Sequence, residues 1–157
     1  MGDGAGPARA DGMEASRAVE DCLKAVYKLT REDDLASTND LAGELGLSAA
    51  SVTKMVKRLA ARGLVDHRIY RGAQLTDRGE LQALRIIRRH RVIESYLIEK
   101  LGFTVDNVHE EAERLEHSAS DTLIDAMARN LGDPATDPHG SPIPTRDGTI
   151  AALAGSG

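Results

Sequence analysis

The run from Ser37 to Leu75 leaves a chain few ways to fold. It reads STNDLAGELG, then LSAASVTKMVKRLAARG, then LVDHRIYRGAQL. Ser37 or Thr38 can accept a hydrogen bond from the free amides that open a short helix, Leu41 and Leu45 face inward, and Gly46 closes it. Ser48 caps a second helix, in which Val52, Met55, Val56 and Leu59 share one face and Gly63 is the stop. The last piece holds two short extended runs around a turn at Tyr70, Arg71 and Gly72, as a β-hairpin does. Helix, glycine turn, helix and hairpin make a winged helix-turn-helix, expected over residues 13–75. The second helix of such a unit is shaped for a DNA major groove.

The outward residues agree with that use. Ser48, Ala50, Ser51, Thr53, Lys54 and Lys57 are short or basic, so the helix can approach base edges closely, and Arg68 and Arg71 on the hairpin are placed for phosphates. The net charge of -5 argues against a polyanion partner only until it is divided. Ser51 to Arg91 holds 11 Lys and Arg against 3 Asp and Glu, a net of +8, whereas Glu94 to Asp137 holds 3 against 11, a net of -8. A basic half followed by an acidic half fits a DNA-binding module joined to a cation-binding one. The competing use of the fold, protein contacts alone, leaves the basic half unexplained.

The flanking segments read as helix. Val19, Leu23, Val26 and Tyr27 form an apolar stripe over Met13–Leu29, with Asp21 off the stripe. Residues 1–12, rich in Gly, Ala and Asp, are expected to be a disordered lead-in, and REDDLAS breaks the pattern after the first helix. From a Thr76 cap to Gly102 runs a long helix with apolar Leu81, Leu84, Ile87, Val92, Ile93, Leu97 and Leu101. A Thr104 cap then precedes VHEEAERLEH, and Ser118 or Ser120 starts DTLIDAMARNLG, with Leu123, Ile124 and Met127 inward. The fold class is therefore mainly α: the winged domain, an all-helical dimerisation and metal-binding domain over 76–144, and a tail over 145–157. The surplus apolar surface of the helical half calls for a symmetric homodimer, which would suit a palindromic double-stranded operator. One cysteine, Cys22, permits no internal disulfide and reads as a small buried apolar side chain in a cytoplasmic protein. No apolar run reaches the ~20 residues of a membrane span.

VHEEAERLEH places His109, Glu113, Glu116 and His117 at i, i+4, i+7 and i+8, on one helical face. His90 and Glu94 stand at i and i+4 in RRHRVIESYL. The plain alternative is a solvated acidic helix face. Enzyme readings fail on spacing: HEEAE has Glu113 where a zinc-protease H-E-x-x-H needs its second His, and the residue three before His117 is Arg114 rather than the Glu of a di-iron Glu-x-x-His pair. A metal-independent winged-helix regulator that binds a small apolar molecule leaves the ligand-type residues unaccounted for.

Four motifs in order, LSAASVTKMVKRLAARGLVDHRIYRGAQLT, RRHRVIESYL, VHEEAERLEH and DPHGSPIP, together resemble the diphtheria-toxin-repressor family of metal-dependent transcriptional repressors, and more closely its manganese-transport-regulator branch. The likeness covers Ala18 to Pro144. It implies a winged helix on DNA, helices that dimerise, and a divalent metal ion as cofactor, with control of metal-uptake genes. By resemblance the principal metal site is Asp21, Glu113, Glu116 and His117, and a neighbouring one is His90, Glu94 and His109. The chain departs from its relatives in three ways. Iron-sensing members carry Met and Cys where Asp21 and Glu113 stand. Lys24 occupies the place of a carboxylate used by paired-metal members. Many relatives also continue into an SH3-like domain, whereas this sequence ends in DGTIAALAGSG. Oxygen and imidazole donors without sulfur suit a hard ion, so manganese is the expected effector and ferrous iron the alternative.

Overall fold

The computed structural model describes residues 5–31 and 34–150, with the side chains of residues 5–15 outside that description. The chain divides into two units, Met1–Ala83 and Leu84–Gly157.

The first unit holds α1 (Ala5–Leu29), α2 (Thr38–Leu45), α3 (Ala49–Ala61), the hairpin β1 (Val65–Arg68) and β2 (Gly72–Leu75), and the start of α4 (Asp77–Leu101). α1 begins before Met13, so residues 5–12 are helical rather than a disordered lead-in. Their alanines are strong helix formers, and Pro7 sits in the first turn, where its missing N–H costs no intrahelical bond. Residues 1–4 lie outside the described residues, as do residues 32 and 33 of the REDDLAS break. The cap signals are met: Ser37 accepts from the Asp40 amide, Ser48 from the Ser51 amide, and Gly46 takes φ 65°. Leu23 and Val26 of α1, Leu41 of α2, Val52 and Leu59 of α3 and Leu64 are at most 1% exposed. Each contributes about 1.5 to 3 kcal/mol of burial.

The hairpin is antiparallel with Val65 opposite Leu75 and Arg68 opposite Gly72. Its root is pinned by Ala36, whose amide donates to the Ala73 carbonyl at 2.8 Å and whose carbonyl accepts from the Ala73 amide at 2.9 Å. Thr76 caps α4, accepting from the Gly79 amide at 3.1 Å while its hydroxyl donates to the Gly63 carbonyl at 2.8 Å. A Cβ at Gly79 would stand 1.9 Å from the Leu64 carbonyl oxygen. These contacts explain why the first turns of α4 belong with the winged unit.

The second unit holds the rest of α4, α5 (Val108–Glu116), α6 (Asp121–Asn130) and an irregular segment that returns over the helices. Its core is Val92, Ile93, Leu97, Val108, Ala112, Ile124, Ala128 and Ile143. Arg88 donates to Asp125 at 3.0 Å and to the Pro144 carbonyl at 3.1 Å, and Arg91 donates to the Pro142 carbonyl, which ties the segment to α4. Two expectations need correction. Asn107, not Thr104, occupies the cap position of α5, although Thr104 serves through its carbonyl, which accepts from the Asn107 and Val108 amides. Leu123 is 51% exposed, because Ile124 and Ala128 take the buried side of α6. Within the expected tail, Thr145 and Thr149 close a hydrogen-bonded turn, while residues 151–157 lie outside the described residues.

Candidate metal centre and nucleic-acid interface

Glu94 is the hub of the second unit. It lies one turn after His90 on α4, on the side that also buries Ile93 and Leu97, and is only 2% exposed. Its Oε1 is 2.7 Å from His90 Nε2 and 3.0 Å from His109 Nδ1, and its Oε2 is 3.3 Å from His139 Nδ1. The other ring nitrogen of His90 meets Glu116 Oε2 at 3.1 Å. Glu116, wholly buried on α5, has its Oε1 3.5 Å from His117 Nε2. The rings of His90 and His109 sit edge to face with centroids 4.8 Å apart.

A carboxylate buried this deeply is normally answered by Arg or Lys; here imidazoles answer it. Burial by itself disfavours a cationic His90, but the hydrogen bonds and charges of Glu116 and Glu94 outweigh burial and raise its pKa to about 9. The same balance acts in reverse on Glu94: burial pushes it up, while the hydrogen bonds and charges of His90 and His109 pull it down to about 2. In the protein without metal, an imidazolium at His90 therefore bridges two carboxylates.

Donor atoms of His90, Glu94 and His109 lie within 4.8 Å of one another, and so do those of Glu94, Asp137 and His139. Carboxylate oxygens and imidazole nitrogens converge there without sulfur. The residues fit a divalent cation of the first transition series, which would take the place of the imidazolium's positive charge between the carboxylates.

The structure thus brings His90, Glu94, His109 and Glu116 together, with His117 beside Glu116. Glu113 pairs with His109, its Oε1 3.2 Å from Nε2, on an exposed edge of α5. The four ligand-type residues of α5 do not point alike. Their shared face straddles the waterline of the helix, so His109 and Glu113 are exposed while Glu116 is buried. Asp21 lies in the first unit on α1, partly buried, where it and, chiefly, burial raise the Cys22 thiol to about 11. Sequence reasoning passed over Asp137 and His139. Asp137 is buried, and its Oδ1 accepts from the amides of His139 at 2.9 Å and Ser141 at 2.8 Å, which fixes the turn that delivers His139. The available signal was an Asp and a His two apart in DPHG, lacking any helical periodicity to show where they point.

In the first unit, Ser48, Ala50, Ser51, Lys54 and Lys57 are exposed on α3, Thr53 is partly so, and Arg68 and Arg71 are exposed on the hairpin. The Ser48 hydroxyl is engaged as the cap, and the Thr53 hydroxyl donates back to the Ala49 carbonyl at 3.0 Å. The lysines and arginines are thus the outward charge of this face.

A winged helix-turn-helix with a basic face and a helical unit holding a buried carboxylate and imidazole cluster define a metal-responsive transcriptional regulator. Residues 14–73 match the iron dependent repressor N-terminal DNA binding domain, and residues 76–145 match the iron dependent repressor metal binding and dimerisation domain. The chain belongs to the iron-dependent repressor family, which is made up of transcriptional repressors and not of enzymes. It is similar to the transcriptional regulator MntR of Escherichia coli, 36% identical over 109 residues that cover 69% of this chain and 70% of that protein. It is also similar to the iron-dependent repressor IdeR of Mycobacterium tuberculosis, 32% identical over 122 residues that cover 78% of this chain and 53% of that one. A solved manganese-dependent transcriptional repressor in complex with manganese superposes with a TM-score of 0.80 at 41% identity, covering 87% of this chain. The chain spans 63% of that structure's length. Relatives named for manganese and for iron both match. Among the described residues no helix is long and apolar enough to cross a membrane.

Proposed function

We propose that the chain is a manganese-dependent repressor that binds a palindromic DNA operator as a homodimer in the cytoplasm and controls metal-uptake genes. The observation that carries this reading is the sulfur-free donor cluster around Glu94, in a chain whose winged unit bears the basic face. Asp21 and Glu113 add carboxylates where a softer site would hold thioether and thiolate.

In this proposal Asp21 of α1 joins Glu113, Glu116 and His117 of α5 as the regulatory site, and His90, Glu94 and His109 form a second site to which Asp137 and His139 contribute. A bound divalent cation supplies the positive charge that lets these carboxylates share one site. The residues do the rest. Without compensation, Asp21 and the α5 carboxylates repel, which loosens α1 and the reading helix joined to it. With compensation, α1 is held and two recognition helices of a dimer can adopt the spacing of successive major grooves. A coupling of about 1 to 3 kcal/mol changes operator affinity about 5- to 150-fold.

The test is operator affinity measured with buffered free manganese and again with chelator. Affinity should fall at least fivefold on chelation, and Lys54→Ala should weaken DNA binding while leaving metal affinity nearly intact; equal affinity with and without metal would sink the gating. The choice of ion is tested anaerobically at buffered free-metal concentrations. Manganese should activate the unmodified protein, and Asp21→Met with Glu113→Cys should shift activation towards iron. Activation of the unmodified protein by iron alone would overturn the assignment.

A further inference from the structure

Asp137 and His139 reach Glu94 on a stretch of chain with little regular structure to hold it. Residues 131–150 form neither helix nor strand, and the backbone pairing within them is an isolated bridge between Thr136 and Pro142. The Ile143 amide donates to the Ala135 carbonyl at 2.9 Å and the Asp137 amide to the Ser141 carbonyl at 2.8 Å, which shapes the turn without placing it against α4. Placement falls to the burial of Ile143 and Pro144 and to two arginines of α4. Arg91 donates to the Pro142 carbonyl. Arg88 does more, because its Nη1 donates to the Pro144 carbonyl at 3.1 Å while its Nη2 donates to Oδ1 of Asp125 on α6 at 3.0 Å. The other oxygen of Asp125 accepts from Arg146 at 2.8 Å. The side chains of Arg88 and Asp125 are each 15% exposed. One guanidinium thus joins α4, α6 and the returning segment, gripping that segment at Pro144 and, through Asp125, at Arg146. None of these contacts involves a donor atom of the cluster.

We infer that Arg88 is a positioning residue for the second metal site: by fixing the segment at Pro144 and Asp125 it sets His139 and Asp137 against Glu94, so that seating of the segment and binding of the cation are one coupled equilibrium. The inference rests on the second-site reading above and adds to it a residue that governs affinity without touching the ion. Its two acceptors, a carbonyl and a carboxylate on different segments, call for donors that diverge from one planar group, which an ammonium cannot supply. Both acceptors are shielded from water. Loss of the fork strands a buried carbonyl and takes from Asp125 one of its two guanidinium partners, a cost the segment relieves by leaving α4. His139 is where that release is felt, since it meets Glu94 at 3.3 Å and Asp137 at 4.0 Å only while the segment is seated. His90, Glu94 and His109 ride on α4 and α5 and stay where they are. By reciprocity, a cation that draws His139 and Glu94 together also seats the segment.

The probe is manganese(II) chloride titrated into the full chain, with the free ion read by electron paramagnetic resonance. The proteins compared are the unmodified chain, Arg88→Ala, Arg88→Lys, the double variant Asp137→Ala with His139→Ala, and the triple variant that adds Arg88→Ala to it. The unmodified chain should bind ions in two classes. Arg88→Ala should weaken one class about tenfold, as loss of an outer partner of a metal ligand does, while the other class keeps its affinity. Arg88→Lys, which retains a cation beside Asp125 and so guards against loss of the fold, should show the same selective weakening. The triple variant should bind no more weakly than the double variant, because the arginine acts through those two ligands. Manganese should also slow hydrogen exchange at the His139 and Ser141 amides of the unmodified chain and leave it unchanged in Arg88→Ala. Unmodified affinity in the Arg88 variants, equal weakening of both classes, or a further loss in the triple variant would overturn the inference, the last two marking an arginine that merely stabilises the fold. A single class of ion in the unmodified chain, or unmodified affinity in the double variant, would remove the second-site reading and the inference with it.

Discussion

Glu94 shows how one side chain can set the chemistry of a whole unit. In the metal-free protein it and Glu116 hold His90 as a cation, and the sign of the pH dependence follows. The folded pKa of His90 is raised from 6.5 to about 9, so its contribution to stability is complete below pH 6.5 and is lost as pH rises through about 9. Glu94 is lowered from 4.5 to about 2, so its share is complete above pH 4.5 and is lost as pH falls through about 2. Urea titrations of the chelator-treated protein should therefore show most stability between those limits and a decline towards pH 9, and His90→Gln should flatten the alkaline side. Glu94→Gln should cost about 2 kcal/mol without metal, since it leaves a buried imidazolium with one carboxylate fewer. The His90 proton resonance should then titrate at lower pH in the variant. An unchanged His90 titration would show that Glu94 is not its partner in solution. The same proton gives a second observable: cation binding at His90 near neutral pH should release about one proton, read by calorimetry in buffers of different ionisation enthalpy.

At the scale of elements, glycines separate packing from propensity. Gly79 in the first turn of α4 faces the Leu64 carbonyl, and a Cβ there would overlap it at 1.9 Å. Gly43 lies inside α2 with nothing within 4 Å of a Cβ. Gly79→Ala should lower stability by about 2 to 4 kcal/mol, because helix and hairpin backbone must part, whereas Gly43→Ala should raise it by about 0.5 to 1 kcal/mol. Thermal unfolding of the two variants under one buffer checks both signs. The boundaries of α2, α3 and the hairpin were legible because their caps and stops are local: Ser37, Gly46, Ser48 and Gly63 act on amides and dihedrals a few residues away. The start of α5 was less legible. Thr104 and Asn107 are both polar and close to the helix, and only the backbone conformation shows that the Thr104 carbonyl is the group at work.

For the whole molecule, the expected consequence of metal removal is a loss of stability as well as of DNA affinity. Free manganese at about 100 times its dissociation constant stabilises a folded binding site by about 2.7 kcal/mol. Calorimetric scans should show a transition that moves up with manganese concentration and returns on chelation; a midpoint indifferent to manganese would argue against a site in the folded state. The second unit leaves Leu101, Val105, Leu115 and Leu123 at least 40% exposed, in the region that matches a dimerisation domain. Sedimentation should accordingly report twice the mass of 16.8 kDa at micromolar protein, and Leu115→Lys should shift it towards monomer.

The sequence by itself determined the winged helix-turn-helix and the division into a basic and an acidic half, because caps, glycine stops, apolar periodicity and charge are properties of neighbours along the chain. It also determined which residue types are available to a metal: Glu94, Glu116 and His117 are legible from helical spacing and family resemblance alike. Tertiary structure decided how those residues share their work. Periodicity places His109, Glu113, Glu116 and His117 on one face, but the position of that face relative to the core makes Glu116 a buried anion and leaves Glu113 at the surface. Asp137 and His139 reach Glu94 through a chain reversal held by Arg88 and Arg91, contacts more than 40 positions apart in sequence for the His139–Glu94 pair and longer still for the arginines. Such closures are decided by which long-range contacts offset the loop entropy, and no local pattern records that balance.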